Sequence, residues 1–195
     1  MVALGPVTPG NVMILPKTHV RAMSQLGREG LEALTPLVNR IGQMLETAFG
    51  PIIMFEHGMS ARPSERDVGC MDHAHLQIVP TGINLLPYAQ ADFGAGVVVG
   101  GLASLADFQH VEPYLYLTSP GLGCHVVIPG IQLPSQYMRR LFARMQQRDE
   151  EWNWRKYPRL EWMTQTMSTL RTASGVGRAG CDGAQVPNSS RRHEV

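Results

Sequence analysis

The segment Asp72-His73-Ala74-His75-Leu76-Gln77-Ile78-Val79-Pro80 constrains the fold more than any other part of the chain. Polar and apolar residues alternate along it, and alternate residues of a β-strand face opposite sides of a sheet. His73, His75 and Gln77 are thereby assigned to one face. Ala74, Leu76 and Ile78 are assigned to the other, with Val79 extending the apolar run. Neighbours on one face stand roughly 6.5–7 Å apart. Such a strand needs an apolar partner on one side and presents two imidazoles and an amide on the other, an arrangement that points to chemistry. Histidines at i, i+2 are also a structural or metal-binding pattern, and the segment alone leaves those readings open.

The preceding residues suggest what the apolar side packs against. Residues 1–10 carry Gly5, Pro6, Pro9 and Gly10 and read as a turn. Val12-Met13-Ile14-Leu15 is a short β run stopped by Pro16, apolar on both faces as in an inner strand. Across 28–49 apolar residues recur every three or four positions, the stripe of an amphipathic helix. Pro36 predicts a kink or restart near Thr35, and Gly50-Pro51 ends the helix. A second β run covers 52–55, and 59–72 is loop-like, long enough to join antiparallel neighbours. The fold class expected is α+β, an antiparallel sheet with a long helix on one face. The uncovered face would carry His73, His75 and Gln77.

Beyond Pro80 the pattern is less regular. Residues 83–88, 96–99, 114–118 and 125–128 are short β candidates, and 134–145 and 159–170 read as helices. Trp152-Asn153-Trp154-Arg155 is an aromatic cluster for which core packing is the default role, with stacking on a base the alternative. Residues 173–195, rich in glycine and polar groups, read as a disordered tail.

Composition narrows the function classes. A chain of 195 residues can bury a sizeable core. A net charge of +1 gives no electrostatic case for a nucleic-acid polymer. Cys70, Cys124 and Cys181 are odd in number and widely spaced, so a disulfide framework is not expected and a reducing cytoplasm is. No apolar run reaches membrane-spanning length.

His73-Ala74-His75-Leu76-Gln77-Ile78-Val79 resembles the signature of the histidine-triad (HIT) superfamily, His-φ-His-φ-His/Gln-φ-φ with φ apolar. Upstream, Pro9-Gly10-Asn11-Val12-Met13-Ile14-Leu15-Pro16-Lys17-Thr18-His19 is similar to that family's Pro-Gly-His-φ-φ-φ-φ-Pro-x-x-His segment, with Asn11 in place of the first histidine. The resemblance covers about residues 5–80. It implies a HIT-like domain at 1–85 and a C-terminal α/β extension at 86–172. Family members carry a strand before the Pro-Gly turn that helps to hold base and ribose, so the base pocket of this chain is expected to be incomplete or supplied elsewhere.

The resemblance also implies roles. His75 would be the nucleophile that forms a nucleotidyl-histidine, with His73 orienting its neighbours and Gln77 binding a phosphate oxygen. Glutamine cannot act as an acid near neutral pH, unlike a third histidine. The chain is thus most similar to the His-x-His-x-Gln branch of nucleotidyltransferases and phosphorylases acting on nucleoside polyphosphates or nucleotide sugars. The alternatives are a HIT-type dinucleoside polyphosphate hydrolase and a nucleotide-binding module without catalysis. His57, Gly58, Arg62, Ser64, Arg66 and Asn11 are the candidate phosphate- or nucleotide-binding residues. No resident metal or other cofactor is expected, with zinc, for which Cys70 is the nearby thiol, or magnesium as the alternative. The partners implied are a nucleotide substrate and a second copy of the chain.

Overall fold

The structure is a computed structural model and describes residues 1–58, 73–111, 113–119, 121, 123–128 and 133–174. Six strands form one antiparallel sheet: β1 (Val12–Ile14), β2 (Ile52–Gly58), β3 (Leu76–Pro80), β4 (Val97–Val99), β5 (Tyr114–Ser119) and β6 (Gly123–Val127). Their order is β1-β3-β2-β5-β6-β4. Among the described residues four α-helices accompany them: α1 (Gly27–Phe49), α2 (Leu86–Phe93), α3 (Tyr137–Met145) and α4 (Leu160–Ala173). The mixed α+β class and the long helix agree with the sequence pattern.

Alternation divides the sheet's side chains into two cores. On one side Ile14, Leu76, Ile78, Tyr114 and Tyr116 pack with Leu31, Val38 and Leu45 from the stripe of α1. On the other, Ile53, Phe55, Val79, Leu115 and Leu117 pack with Leu85 and Ala89 of the α2 region and with Tyr137, Met138 and Phe142 of α3. The second face is therefore covered rather than open. Residue 85 is no break in the sheet either, because β5 from the anticipated extension pairs directly with β2, Phe55 opposite Leu117. The two segments share one sheet and both of its cores. The part of the anticipated tail from 175 onwards lies outside the described residues.

Other local expectations are corrected by packing. Residues 83–88 are not a strand. Asn84 Oδ1 accepts the Leu86 N–H at 3.0 Å and Pro87 sits in the first turn, where its missing N–H is harmless, so α2 starts here. α1 runs in one piece through Pro36, which is solvent-exposed, as is Glu32, whose carbonyl loses the bond. β1 lies at one end of the strand order, yet all three of its residues are buried. Val2 bridges Val12 and Ala3 N–H donates to the Asn11 carbonyl at 3.1 Å, so the first residues run along this edge instead of turning throughout.

One acid is sealed inside the α1 side. Glu56, on β2, accepts the Met23 N–H at 2.5 Å and the Tyr114 hydroxyl at 2.7 Å. Burial pushes its carboxyl up to about 7, against which these two bonds pull only partly. The folded protein thus holds a proton that the unfolded chain releases above its ordinary value of 4.5. Stability from this group is full below that value and is lost as pH rises through about 7, in total about 3 kcal/mol. Melting curves across this range are expected to show the native protein losing stability as pH rises and Glu56→Gln losing much less. Parallel slopes would refute this origin.

Candidate functional site

The register that builds the sheet also builds a cavity floor. Met13 of β1 and Phe55 of β2 both stand opposite Gln77 of β3, so these three side chains form a row across adjacent strands. His57, two residues beyond Phe55, and His75, two before Gln77, continue the same face. All five line one cavity of about 460 Å³, a size suited to a small organic ligand. Its other walls are Met1 and Leu4, Gln136 to Arg139 at the start of α3, and Trp154 and Arg155. Among the described residues the lining contains two arginines and two histidines and no Asp or Glu.

His75 is held by its own backbone. Its Nδ1–H donates to the His73 carbonyl at 3.0 Å. In the neutral ring this leaves the lone pair on Nε2. Burial chiefly, then the Arg139 and His73 charges, push the His75 imidazole below its usual value, and the bond to His73 opposes them in part. At neutral pH the ring is uncharged.

His73 does not share this face. β3 begins only at Leu76, and the backbone before it departs from strand geometry. His73 Nε2–H donates to the Pro16 carbonyl at 2.8 Å, and its ring meets His19 edge-on with centroids 5.1 Å apart. It is not among the cavity-lining residues. Its contribution to the site is the carbonyl that fixes His75.

Asn11 lies beneath the cavity rather than in it. Fully buried, it accepts the Val7 N–H at 3.3 Å on Oδ1 and donates through Nδ2 to the Ile78 carbonyl at 3.2 Å. The same Nδ2 is 3.5 Å from Gln77 Oε1. Backbone groups thus dictate which end of the Asn11 amide is the donor, and Asn11 in turn faces the oxygen of Gln77. The Gln77 amide nitrogen is left as a donor for the cavity.

Gly58 ends β2 against the ring of Tyr114, where an added Cβ would lie 2.4 Å from ring carbons. Its role is packing on the α1 side. Arg62, Ser64, Arg66 and Cys70 lie outside the described residues. Among the described residues no group of three or more His, Cys, Asp or Glu is placed to hold a metal ion, and no helix is long and apolar enough to cross a membrane.

The sequence pattern did not single out Arg139. Only 7% of it is exposed, although it is an arginine on α3. Its Nη2 donates to the Gly5 carbonyl at 2.6 Å and its Nε to the Trp152 carbonyl at 3.1 Å. Burial lowers its guanidinium to about 10, which still leaves it charged at neutral pH. Arg155 stands at the cavity beside Trp154, its guanidinium carbon 4.8 Å from the ring centroid. The segment carrying these residues is fastened to the first residues of the chain by Gly5 N–H to the Pro158 carbonyl at 3.1 Å and Gly10 N–H to Thr166 Oγ1 at 2.8 Å. Compared with known proteins, the chain matches no protein-family model and no curated relative.

Proposed function

We propose that the protein is a HIT-like nucleotidyltransferase or phosphorylase that carries a nucleoside monophosphate on His75. The supporting observation is the His75 ring, fixed through Nδ1 by the His73 carbonyl while it lines a cavity that holds two arginines and, among the described residues, no carboxylate. The apolar and aromatic walls, Met13, Phe55 and Trp154 among them, suit a base and ribose, and the arginines suit phosphates.

The step balances without an added reagent. His75 Nε2 uses its lone pair to attack the α-phosphorus, so an N–P bond forms as the P–O bond to the leaving phosphate breaks. The leaving oxygen takes that electron pair, and as a phosphate it needs no proton. The imidazolium formed is stabilised through Nδ1–H by the His73 carbonyl. An incoming phosphate oxygen then attacks phosphorus, and the N–P pair returns to Nε2. Gln77 supplies an N–H donor to a phosphoryl oxygen, a bond that strengthens as charge builds there. Gln77 supplies no proton, which favours transfer to phosphate over expulsion of an alcohol. His57 faces the same cavity and is the group that a hydrolytic reading would use.

The test is direct detection of the carrier. The native protein, mixed with a dinucleoside polyphosphate and digested without acid, is expected to yield a nucleotidyl adduct on the His75 peptide. Because the imidazole is held below its ordinary 6.5, adduct formation is expected to stay undiminished as pH falls to that value and to decline only below it. An adduct on another residue, or turnover with no adduct in single-turnover mixing, refutes the reading.

A further inference from the structure

We infer that Arg139, with Arg155 lining the same cavity, is the anion anchor of the site, and that the site selects substrates carrying at least two linked phosphates. The inference deepens the nucleotidyl-transfer reading and rests on it for identifying the anion as phosphate.

Arg139 is buried, and among the described residues no carboxylate lies within ion-pair distance of it. Glu151, adjacent to Trp152 in sequence, is taken by Arg148 at 3.0 Å and Arg159 at 2.5 Å. Isolated buried charges are costly, and proteins normally pair them. Two neutral carbonyls hold the Arg139 fork in place but leave its charge uncompensated. They occupy two of five N–H donors, so three remain for a ligand. The described residues of the lining add no negative charge to compensate either.

A bound anion resolves this. The planar fork fits phosphate oxygens in a bidentate way that a lysine cannot match. The Arg139 charge also acts on the His75 ring, so the anchor and the nucleophile belong to one site. Two cations and, among the described residues, no acid match a diphosphate better than a single phosphoryl group. One phosphoryl group would face His75 and Gln77 and the next Arg139, with Arg155 completing the charge balance. A substrate with one phosphate would satisfy only half of this set.

The experiment measures binding without turnover. Calorimetry with pyrophosphate and with orthophosphate is run on the native protein, His75→Ala, Arg139→Met, Arg139→Lys and Arg144→Gln. Arg144 is exposed on the same helix and controls for overall charge. The native protein is expected to bind pyrophosphate about tenfold tighter than orthophosphate. Arg139→Met is expected to lose about tenfold or more of that affinity, with Arg144→Gln close to native and His75→Ala losing less than Arg139→Met. Should Arg139→Met fail to fold, Arg139→Lys keeps the charge and is expected to lose about tenfold through the missing fork. Native pyrophosphate affinity in a folded Arg139 variant, or equal binding of the two anions by the native protein, overturns the inference. Turnover surviving in His75→Ala would instead sink the nucleotidyl-carrier reading and leave the binding result standing.

Discussion

Replacing His75 by alanine is expected to lower nucleotide turnover by roughly 10⁴-fold or more, since loss of a covalent nucleophile removes the path and not just a contact. The fold should survive, because His75 precedes β3 and makes its bond only to the adjacent His73 carbonyl. Melting behaviour close to native alongside collapsed turnover is the expected pair of results, read by calorimetry and product chromatography. A conservative comparison sharpens it. His73→Ala leaves the main-chain carbonyl that holds His75 and removes only the contacts to Pro16 and His19. It is therefore expected to retain far more activity than His75→Ala. Equal losses would mean that the two imidazoles act as a unit.

The second large effect is expected at Gly5. It adopts φ +57°, and an added Cβ would fall 2.4 Å from Trp154 Cβ and 2.7 Å from its Cα. The neighbouring atoms include backbone, so no rotamer change relieves the clash. Gly5→Ala combines a left-handed backbone penalty with overpacking and is expected to cost about 2–5 kcal/mol. It should also push Trp154 and the carbonyl partner of Arg139 out of position, so ligand affinity should fall together with stability. Denaturant titration and pyrophosphate calorimetry on the same sample check both. A variant as stable as native with intact affinity would show that the two segments do not press together here.

Strong local patterns were legible in the sequence and distant docking was not. The stripe of α1 and the alternation from Ala74 to Val79 are properties of neighbouring residues, and both stand in the structure. The start of β3 was misplaced because alternation of His73 with Ala74 looks the same whether or not the backbone is extended there. Pairing of β1 ends at Ile14 opposite Leu76, and His73 turns to Pro16. The motif position of Asn11 suggests a ligand contact, whereas its amide is consumed by the backbone below Gln77. Arg139 was invisible for a different reason. Nothing in its local sequence separates it from the exposed Arg140 and Arg144 on the same helix. Its burial follows from contacts with Gly5, 134 positions away. Trp154 and Arg155 were noted as a cluster, but only the return of that segment over the second sheet face gives them a cavity to line.

The clasp between Gly5 and Pro158 has a consequence for biosynthesis. While the chain is emerging from the ribosome, the strand face bearing His75 exists well before the residues that roof it. Until Trp154 and Arg155 have been synthesised and have closed over Leu4 and Gly5, that face is bare hydrocarbon and an unshielded imidazole. The cavity is thus incomplete until the segment reaching Pro158 has been synthesised. The last closure joins sites far apart along the polymer, which makes it a slow event and the point at which a nascent molecule is most exposed to aggregation.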